Sequence, residues 1–399
     1  MSIDLKRIVA GPEAVDRACY TSQEVFEAER ELIFARSWLF VAHESELASP
    51  GDYRAMELAG QPVMAIRGDD GRIRVFFNSC RHKATTIVAD DTGNCAKLRC
   101  AYHHWTYDLQ GRLMSVPRVE AYGAGFRLAD HGLVEVPRVE HFKGMVFANL
   151  DPHACTLAEF LGTAAPYLGE VAQYQGEDLV AVGAYRYTYP ANWKLLMENT
   201  LDDYHAEYLH DYAFAQRAKV FDMKGTTGYQ EAEGKRWSVD LGIHGAYDQY
   251  DDVRTLKIQQ DRARRVYVGI FPSLIALYQP LWDVTGLRII EPVSLEETHV
   301  LNYCLVPKSA SPEKRKEIAE RYHYSWGPGG RAGVDDIFIF REVQRGLRAN
   351  GVGRVLINRG IHRTDPVGAA CDDHAVRGFW AGWREYMQHG GLGRAAEGS

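Results

Sequence analysis

The densest chemistry in the sequence lies between residues 80 and 103. Cys80 and His82 form a C-x-H pair, Cys100 and His103 a C-x-x-H pair, and seventeen residues separate His82 from Cys100. Two thiolates suit one ferric iron of a [2Fe–2S] cluster. Two neutral imidazoles on the other iron remove negative charge and raise the reduction potential above that of an all-cysteine cluster. A cluster poised in this way accepts electrons from a carrier protein and passes them on. A Cys2His2 zinc site is the alternative, but zinc modules favour C-x2–4-C and H-x3–5-H halves, and a C-x-H half is uncommon among them. Cys95 lies on the wrong side of residues 97–99 to share a loop with His103. His104 reads as a polar neighbour of the cluster loop.

A second constellation runs from Asn192 to His210, NWKLLMENTLDDYHAEYLH. Asp202 and His205 are three apart, which places them on one face of a helix. His210 follows five further on and does not align on a regular helix, so a bend or a helix end is expected there. Two histidines and a distant carboxylate make a facial triad on Fe(II) that leaves coordination positions open. By itself, a helix with two histidines and several carboxylates is usually a solvated face. The metal reading gains its weight from standing in one chain with the cluster motif.

These residues need elements to position them. Each half of the first constellation is expected at a hairpin tip: PVMAIR and IRVFFNSC flank a GDDG turn, and KLRCAYHHWTYDLQGRL reads as a second hairpin with its tip near Leu109–Gly111. GMVFANL is a further strand, so residues from about Trp38 to Leu150 read as a small β domain. Ahead of it, Thr21 and Glu24 form a capping-box pair, with Tyr20 and Val25 as a hydrophobic staple, opening a helix through VFEAERELIFARSWLF. Behind it, TLAEFLGTAAPYLGEVAQY is helical, AVGAYRYTYPANW is a strand, and Arg265–Leu277 and Thr285–Val306 are strands. Two helical stretches flank the glycine-rich WGPGGRAG loop. That order gives an α+β second domain.

Length and composition agree. A chain of 399 residues exceeds what one core usually holds. A net charge of −7 argues against non-specific binding to nucleic acid or anionic membrane. No apolar run reaches a membrane span, and the opening MSIDLKRIVAGPEAVDRACY has no signal-peptide core. The seven cysteines are too sparse for a disulfide framework, and their odd number fits a reducing compartment. A cytoplasmic protein is expected.

CRH followed by CAYHHW resembles the Rieske domain of the aromatic-ring-hydroxylating oxygenases, which commonly reads C-x-H-R-G and C-P-Y-H-G-W. Lys83-Ala84 stands for Arg-Gly, Ala101 for Pro and His104 for Gly, and none of these removes a ligand. Residues 192–210 resemble that family's N-W-K…E-N-x2-D-x-Y-H-x4-H stretch, with Asn192, Trp193, Lys194, Glu198, Asn199, Asp202, Tyr204, His205 and His210 in register. WGPGGRAGVDDIFIFREVQRGL resembles the family's G-P-x-G…D-D…Q-R-G-L stretch. The resemblance spans about Thr21 to Leu347.

The resemblance implies an α-type catalytic subunit of α+β class: a small all-β Rieske [2Fe–2S] domain (38–155) and a helix-grip, START-like catalytic domain with an antiparallel sheet (156–399), the segment 1–37 packing on the latter. It implies Cys80, His82, Cys100 and His103 as cluster ligands. It implies His205, His210 and Asp336 as ligands of mononuclear Fe(II), with Asp335 the alternative to Asp336, and catalytic roles for Asp202 and Asn199. Asp202 would link His205 to His103 of a neighbouring subunit, which makes a homotrimer, or an α3β3 assembly with a small β subunit, part of the mechanism. O2 is the implied co-substrate. No dinucleotide fingerprint follows a strand, so NAD(P)H would act through a partner reductase, with or without a ferredoxin. The substrate class implied is an aromatic compound, aromatic acids foremost; Arg217, Lys219, Arg236 and Arg288 are candidates to pair a carboxylate. Dihydroxylation, monohydroxylation and oxidative demethylation, on aromatic or non-aromatic substrates, all use these metals. An electron carrier with a degenerate second domain would not need Asp202, His205, His210 and Asp336 together. A zinc-stabilised binding protein would be colourless.

Overall fold

The computed structural model describes residues 8–173, 176–210, 236–250, 264–279, 284–330, 333–365, 367–369 and 371–392. They form two compact units. One is Phe34–Leu157; the other joins the residues up to Ile33 with those from Ala158 onward.

The first unit is built of short antiparallel strands. β1 (Leu39–His43), β2 (Asp52–Leu58), β3 (Gln61–Arg67), β4 (Ile73–Phe77), β5 (Thr92–Asn94), β6 (Leu98–Arg99), β7 (Thr106–Tyr107), β8 (Leu113–Ser115), β9 (Arg138–Phe142) and β10 (Met145–Asn149) make three sheets, ordered β4-β3-β2-β5, β6-β7-β8 and β9-β10-β1. The GDDG turn does join β3 to β4. The expected placement of both metal pairs at hairpin tips holds for only one of them. Cys100 and His103 lie in the turn between β6 and β7. Cys80 and His82 lie beyond the far end of β4, in the long connection to β5, because the β3–β4 turn is at the opposite end of that hairpin. Leu109–Gly111 is the tip of the separate β7–β8 pair.

The second unit centres on an eight-stranded antiparallel sheet. Its strands are β11 (Leu179–Tyr189), β12 (Arg236–Asp240), β13 (Gly245–Tyr250), β14 (Arg264–Ile270), β15 (Leu274–Gln279), β16 (Val284–Ser294), β17 (Glu297–Pro307) and β18 (Val367–Ala369), in the order β11-β17-β16-β15-β14-β13-β12-β18. Register fixes which side chains share a face, since residues directly opposite each other point the same way. One such row reads Tyr185, Asn302, Arg288, Ile275, Gly269, Gly245 from β11 across to β13.

The helices that position the candidate site sit on that face. They are α3 (Lys194–Leu201), α5 (Pro312–Trp326), α6 (Gly333–Gly346) and α7 (His374–His389), with α2 (Ala165–Ala172) ahead of them and the short α4 (Tyr204–Leu209) after α3. A Cβ on Gly269 would fall 2.6 Å from Met197 Sδ of α3, and one on Gly286 would fall 2.3 Å from the Tyr322 ring of α5. Tyr189 of β11 meets Phe340 of α6 at 5.1 Å between rings. Four helices therefore grip one face of an antiparallel sheet, as the sequence leads one to expect.

Two local expectations are corrected. α1 (Gln23–Glu29) is capped by Ser22, whose Oγ accepts from Val25 N at 3.3 Å, rather than by Thr21. Thr21 belongs to the preceding helical turn Ala18–Thr21, and its hydroxyl donates to the Arg17 carbonyl at 3.1 Å. The helix also ends sooner than its apolar pattern suggests, in a π-turn over Arg30–Phe34. α1 is anchored through Glu29, which is fully buried and accepts from Trp193 Nε1 (2.8 Å), Lys194 Nζ (2.6 Å) and Trp383 Nε1 (2.7 Å). The buried carboxylate is thus satisfied from α3, its preceding residue and α7.

Candidate metal centres

In the first unit, two loops of like shape carry the cysteines and histidines. Cys80 N donates to Thr85 O and Ala84 N returns to Cys80 O, both at 2.9 Å. Cys100 N donates to Trp105 O at 2.9 Å and His104 N returns to Cys100 O at 3.0 Å. Each loop closes on a left-handed residue, Ala84 and His104, both at φ 57°. Those are the two positions where the resembled pattern has glycine, the residue that takes this conformation freely.

Both thiols are buried, at 3% and 2% exposure, in one core with Trp105 and Tyr107. The Tyr107 hydroxyl lies 3.4 Å from Cys80 Sγ and accepts from Arg81 N at 3.1 Å. The His82 and His103 rings stand edge to face, 4.5 Å between centroids, and His82 stacks on Trp105 at 5.0 Å. His82 Nδ1 is buried and, among the described residues, has no hydrogen-bond partner. An orphaned imidazole nitrogen beside two buried thiols fits a metal cluster, which would satisfy it.

In the second unit, the chain turns sharply between α3 and α4. Asp202 caps α3 with extended dihedrals (φ −110°, ψ 101°), so Asp202 and His205 do not share a helical face as their spacing suggested. His210 does stand at a helix end, as the C-cap of α4. The break turns His205 and His210 toward Asp336, in the first turn of α6. Asp336 Oδ1 is 3.2 Å from His210 Nε2 and 3.8 Å from His205 Nε2, and one ligand atom from each of the three residues falls within 4.8 Å of the others. Two imidazoles and a carboxylate converging in this way match the donor set of a facial-triad iron.

The surrounding groups hold this set in place. Asn199 Nδ2 donates to Asp336 Oδ1 at 3.2 Å. His210 Nδ1 faces Asp335 Oδ2 at 3.3 Å, so of the acidic pair Asp336 meets both inward Nε2 atoms while Asp335 stands behind one imidazole. His205 Nδ1 hydrogen-bonds the Asp202 backbone carbonyl, which leaves Nε2 as its free nitrogen. Burial pushes the Asp336 carboxyl up, but the His210 hydrogen bond and the charges of His210, His205 and Arg288 outweigh it and hold the group ionised below its ordinary range. Burial lowers His205 despite two nearby carboxylates.

The Asp202 carboxylate points elsewhere. It accepts from Arg359 Nη2 at 2.7 Å and from Tyr204 N at 2.9 Å, and its Oδ2 is 4.0 Å from His205 Nδ1. Arg359 also pairs with Asp373 at 2.6 Å and lies over the Tyr204 ring at 4.5 Å. Arg359 was missed in the sequence because no spacing rule links a residue so far along the chain to the 192–210 segment. Of the four candidate carboxylate-binding residues, Arg217 and Lys219 lie outside the described residues. Arg236 begins β12, near the far end of the sheet, and Arg288 is on β16.

Residues 37–139 match the model of the Rieske [2Fe–2S] domain, and residues 177–389 match the ring hydroxylating alpha subunit (catalytic domain). The chain belongs to the ring-hydroxylating alpha subunit family. It is an oxidoreductase of the kind that incorporates O2, with a [2Fe–2S] cluster and a non-haem iron as cofactors, and it is a terminal oxygenase component that works with a reductase or ferredoxin. Over 391 residues, 95% of each chain, this alpha subunit is 32% identical to the 2-aminobenzenesulfonate 2,3-dioxygenase subunit alpha of Alcaligenes sp. It is 29% identical to the toluate 1,2-dioxygenase subunit alpha of Pseudomonas putida, over 84% of this chain and 79% of that one. The structure of naphthalene 1,2-dioxygenase with indole in its active site superposes with a TM-score of 0.86 at 25% identity, covering 98% of this chain and 96% of that one. Among the described residues, no helix is long and apolar enough to cross a membrane.

Proposed function

We propose that this alpha subunit hydroxylates an aromatic acid. The observation that carries the reading is the convergence of His205, His210 and Asp336 in a chain that also holds the paired Cys-His loops. The residue roles are these. Cys80 and Cys100 hold one iron of the cluster and His82 and His103 the other. His205, His210 and Asp336 hold the mononuclear iron. When bound, the cluster delivers electrons and the mononuclear iron activates O2 for insertion into the ring.

The chain's own contribution is orientation. The Asp202 carbonyl and the Asp335 carboxylate take the outward nitrogens of His205 and His210, so both Nε2 atoms face inward. Asn199 holds the shared oxygen of Asp336. The Asp202 carboxylate, steadied by Arg359, is the group we assign to an interface with a second copy, where it would meet His103 of that copy. That role asks for a homotrimer or an α3β3 assembly. Sparse cysteines in odd number and two oxygen-sensitive metal centres favour a cytoplasmic location. Residues 38–155 would carry the cluster and 156–399 the iron, with the N-terminal 37 residues docked on the latter.

The test is reconstitution with a NAD(P)H-dependent reductase and a ferredoxin, screening benzoates and benzenesulfonates under isotope-labelled O2. Label in a hydroxylated product is expected. Electron delivery to the cluster with no label in any aromatic product would overturn the reading.

A further inference from the structure

We propose that Arg288 is the specificity-determining residue that binds the substrate's anionic group, a carboxylate or sulfonate on an aromatic ring. The inference deepens the oxygenase reading above and rests on it.

Arg288 sits mid-strand in β16, only 5% exposed. A guanidinium cannot lose its proton, so burial without a partner is costly. Among the described residues no carboxylate lies within ion-pair distance of it, and its buried Nε has no hydrogen-bond partner. The guanidinium carbon lies 4.3 Å over the Trp326 ring, which supplies a π-face but no counter-charge.

Its neighbours are polar atoms in the same condition. Asn302 and Tyr185 stand beside Arg288 in one cross-strand row. Among the described residues, both amide atoms of Asn302 and the Tyr185 hydroxyl are buried without partners. A cation and three unpaired polar atoms on the gripped face of the sheet describe a site waiting for an acceptor-rich group. The location suits a substrate. The helix of Asp336, α6, packs on the same sheet face, where its Phe340 meets Tyr189 of β11, four residues along from Tyr185. An anion held at Arg288 against Trp326 would lie on the sheet face that α6 also covers.

The experiment titrates benzoate, benzenesulfonate and neutral benzamide into metal-loaded protein, reading affinity by calorimetry and tryptophan fluorescence. Wild type should bind the two anions at least about tenfold more tightly than benzamide. Arg288→Gln should remove that preference and leave benzamide within about threefold, with iron and cluster content unchanged. Asn302→Asp guards against misfolding of the first variant: it keeps Arg288 and sets an internal carboxylate beside it, so it should erase the anion preference equally. Retention of the preference in both variants, or equal affinity for benzamide and benzoate in wild type, would overturn the proposal. If label from O2 still enters neutral aromatics in that case, the oxygenase reading stands without it. If no aromatic binds or is oxygenated, both readings fail.

Discussion

Ala84 and His104 hold left-handed backbone where a Cβ is disfavoured by about 1 kcal/mol or more. Both close loops around a buried thiol, so the strain is held by the packing of the cluster core. Ala84→Gly should therefore raise the stability of this unit by about 1 kcal/mol, and His104→Gly by less, because histidine tolerates this region better than alanine. Thermal melts of the metal-loaded protein check this; a lower melting temperature for Ala84→Gly would mean that the alanine methyl contributes packing that outweighs its strain. In the other unit, His205→Ala removes one of three converging donors. It should abolish mononuclear iron while sparing the cluster absorbance, as read by metal analysis and visible spectroscopy. Loss of both metals would show that the two centres do not load independently.

The residue scale was the most legible in the sequence. Cys80, His82, Cys100 and His103 are close in the chain, and short spacings constrain chemistry strongly. Asp336 was reachable only through the resemblance, since an acidic pair at a helix start is otherwise ordinary. Asp335 behind His210 and Trp105 against His82 follow from packing, which spacing does not encode.

At the scale of elements, helices close on the sheet where glycine leaves room. Gly286 faces the rigid ring of Tyr322, whereas Gly269 faces the flexible thioether of the equally buried Met197. Gly286→Ala should cost about 3 kcal/mol, at the top of the overpacking range, and Gly269→Ala about 1 kcal/mol. Chemical denaturation of the two variants tests the order; a milder Gly286→Ala would mean that α5 is free to shift outward.

Glu198 on α3 gives the unit a pH dependence. Burial pushes its carboxyl up to about 7, against hydrogen bonds from Tyr20 Oη and Trp380 Nε1, each 2.6 Å from the same oxygen. A carboxyl raised in the folded state binds a proton that the unfolded chain releases near its ordinary pKa. Its contribution is full in acid and is lost as pH rises toward and through about 7, a change on the order of 3 kcal/mol. Glu198→Gln retains an oxygen for both donors, so it should flatten the fall in denaturation midpoint between about pH 4.5 and pH 7. An unchanged slope would assign that fall to other groups. The sequence suggested the strands and helices well where hydrophobic period was clean. It misplaced the cap at Thr21 and the face shared by Asp202 and His205, because a side-chain bond to Arg17 and a chain break at Asp202 override local periodicity.

At the scale of the molecule, the fold class was legible because two motif sets in fixed order leave few architectures. Which long-range partners meet was not. Arg359 on Asp202 and Arg288 beside Asn302 depend on sheet register and on loops far apart in the chain. One chain is expected to hold both metal centres. Iron and acid-labile sulfide per chain in anaerobically purified protein, with an EPR spectrum after dithionite reduction, test it most directly. About three irons and about two sulfides, with a reduced-cluster signal, are predicted. Zinc without sulfide, or iron confined to the cluster after anaerobic loading with Fe(II), would contradict it.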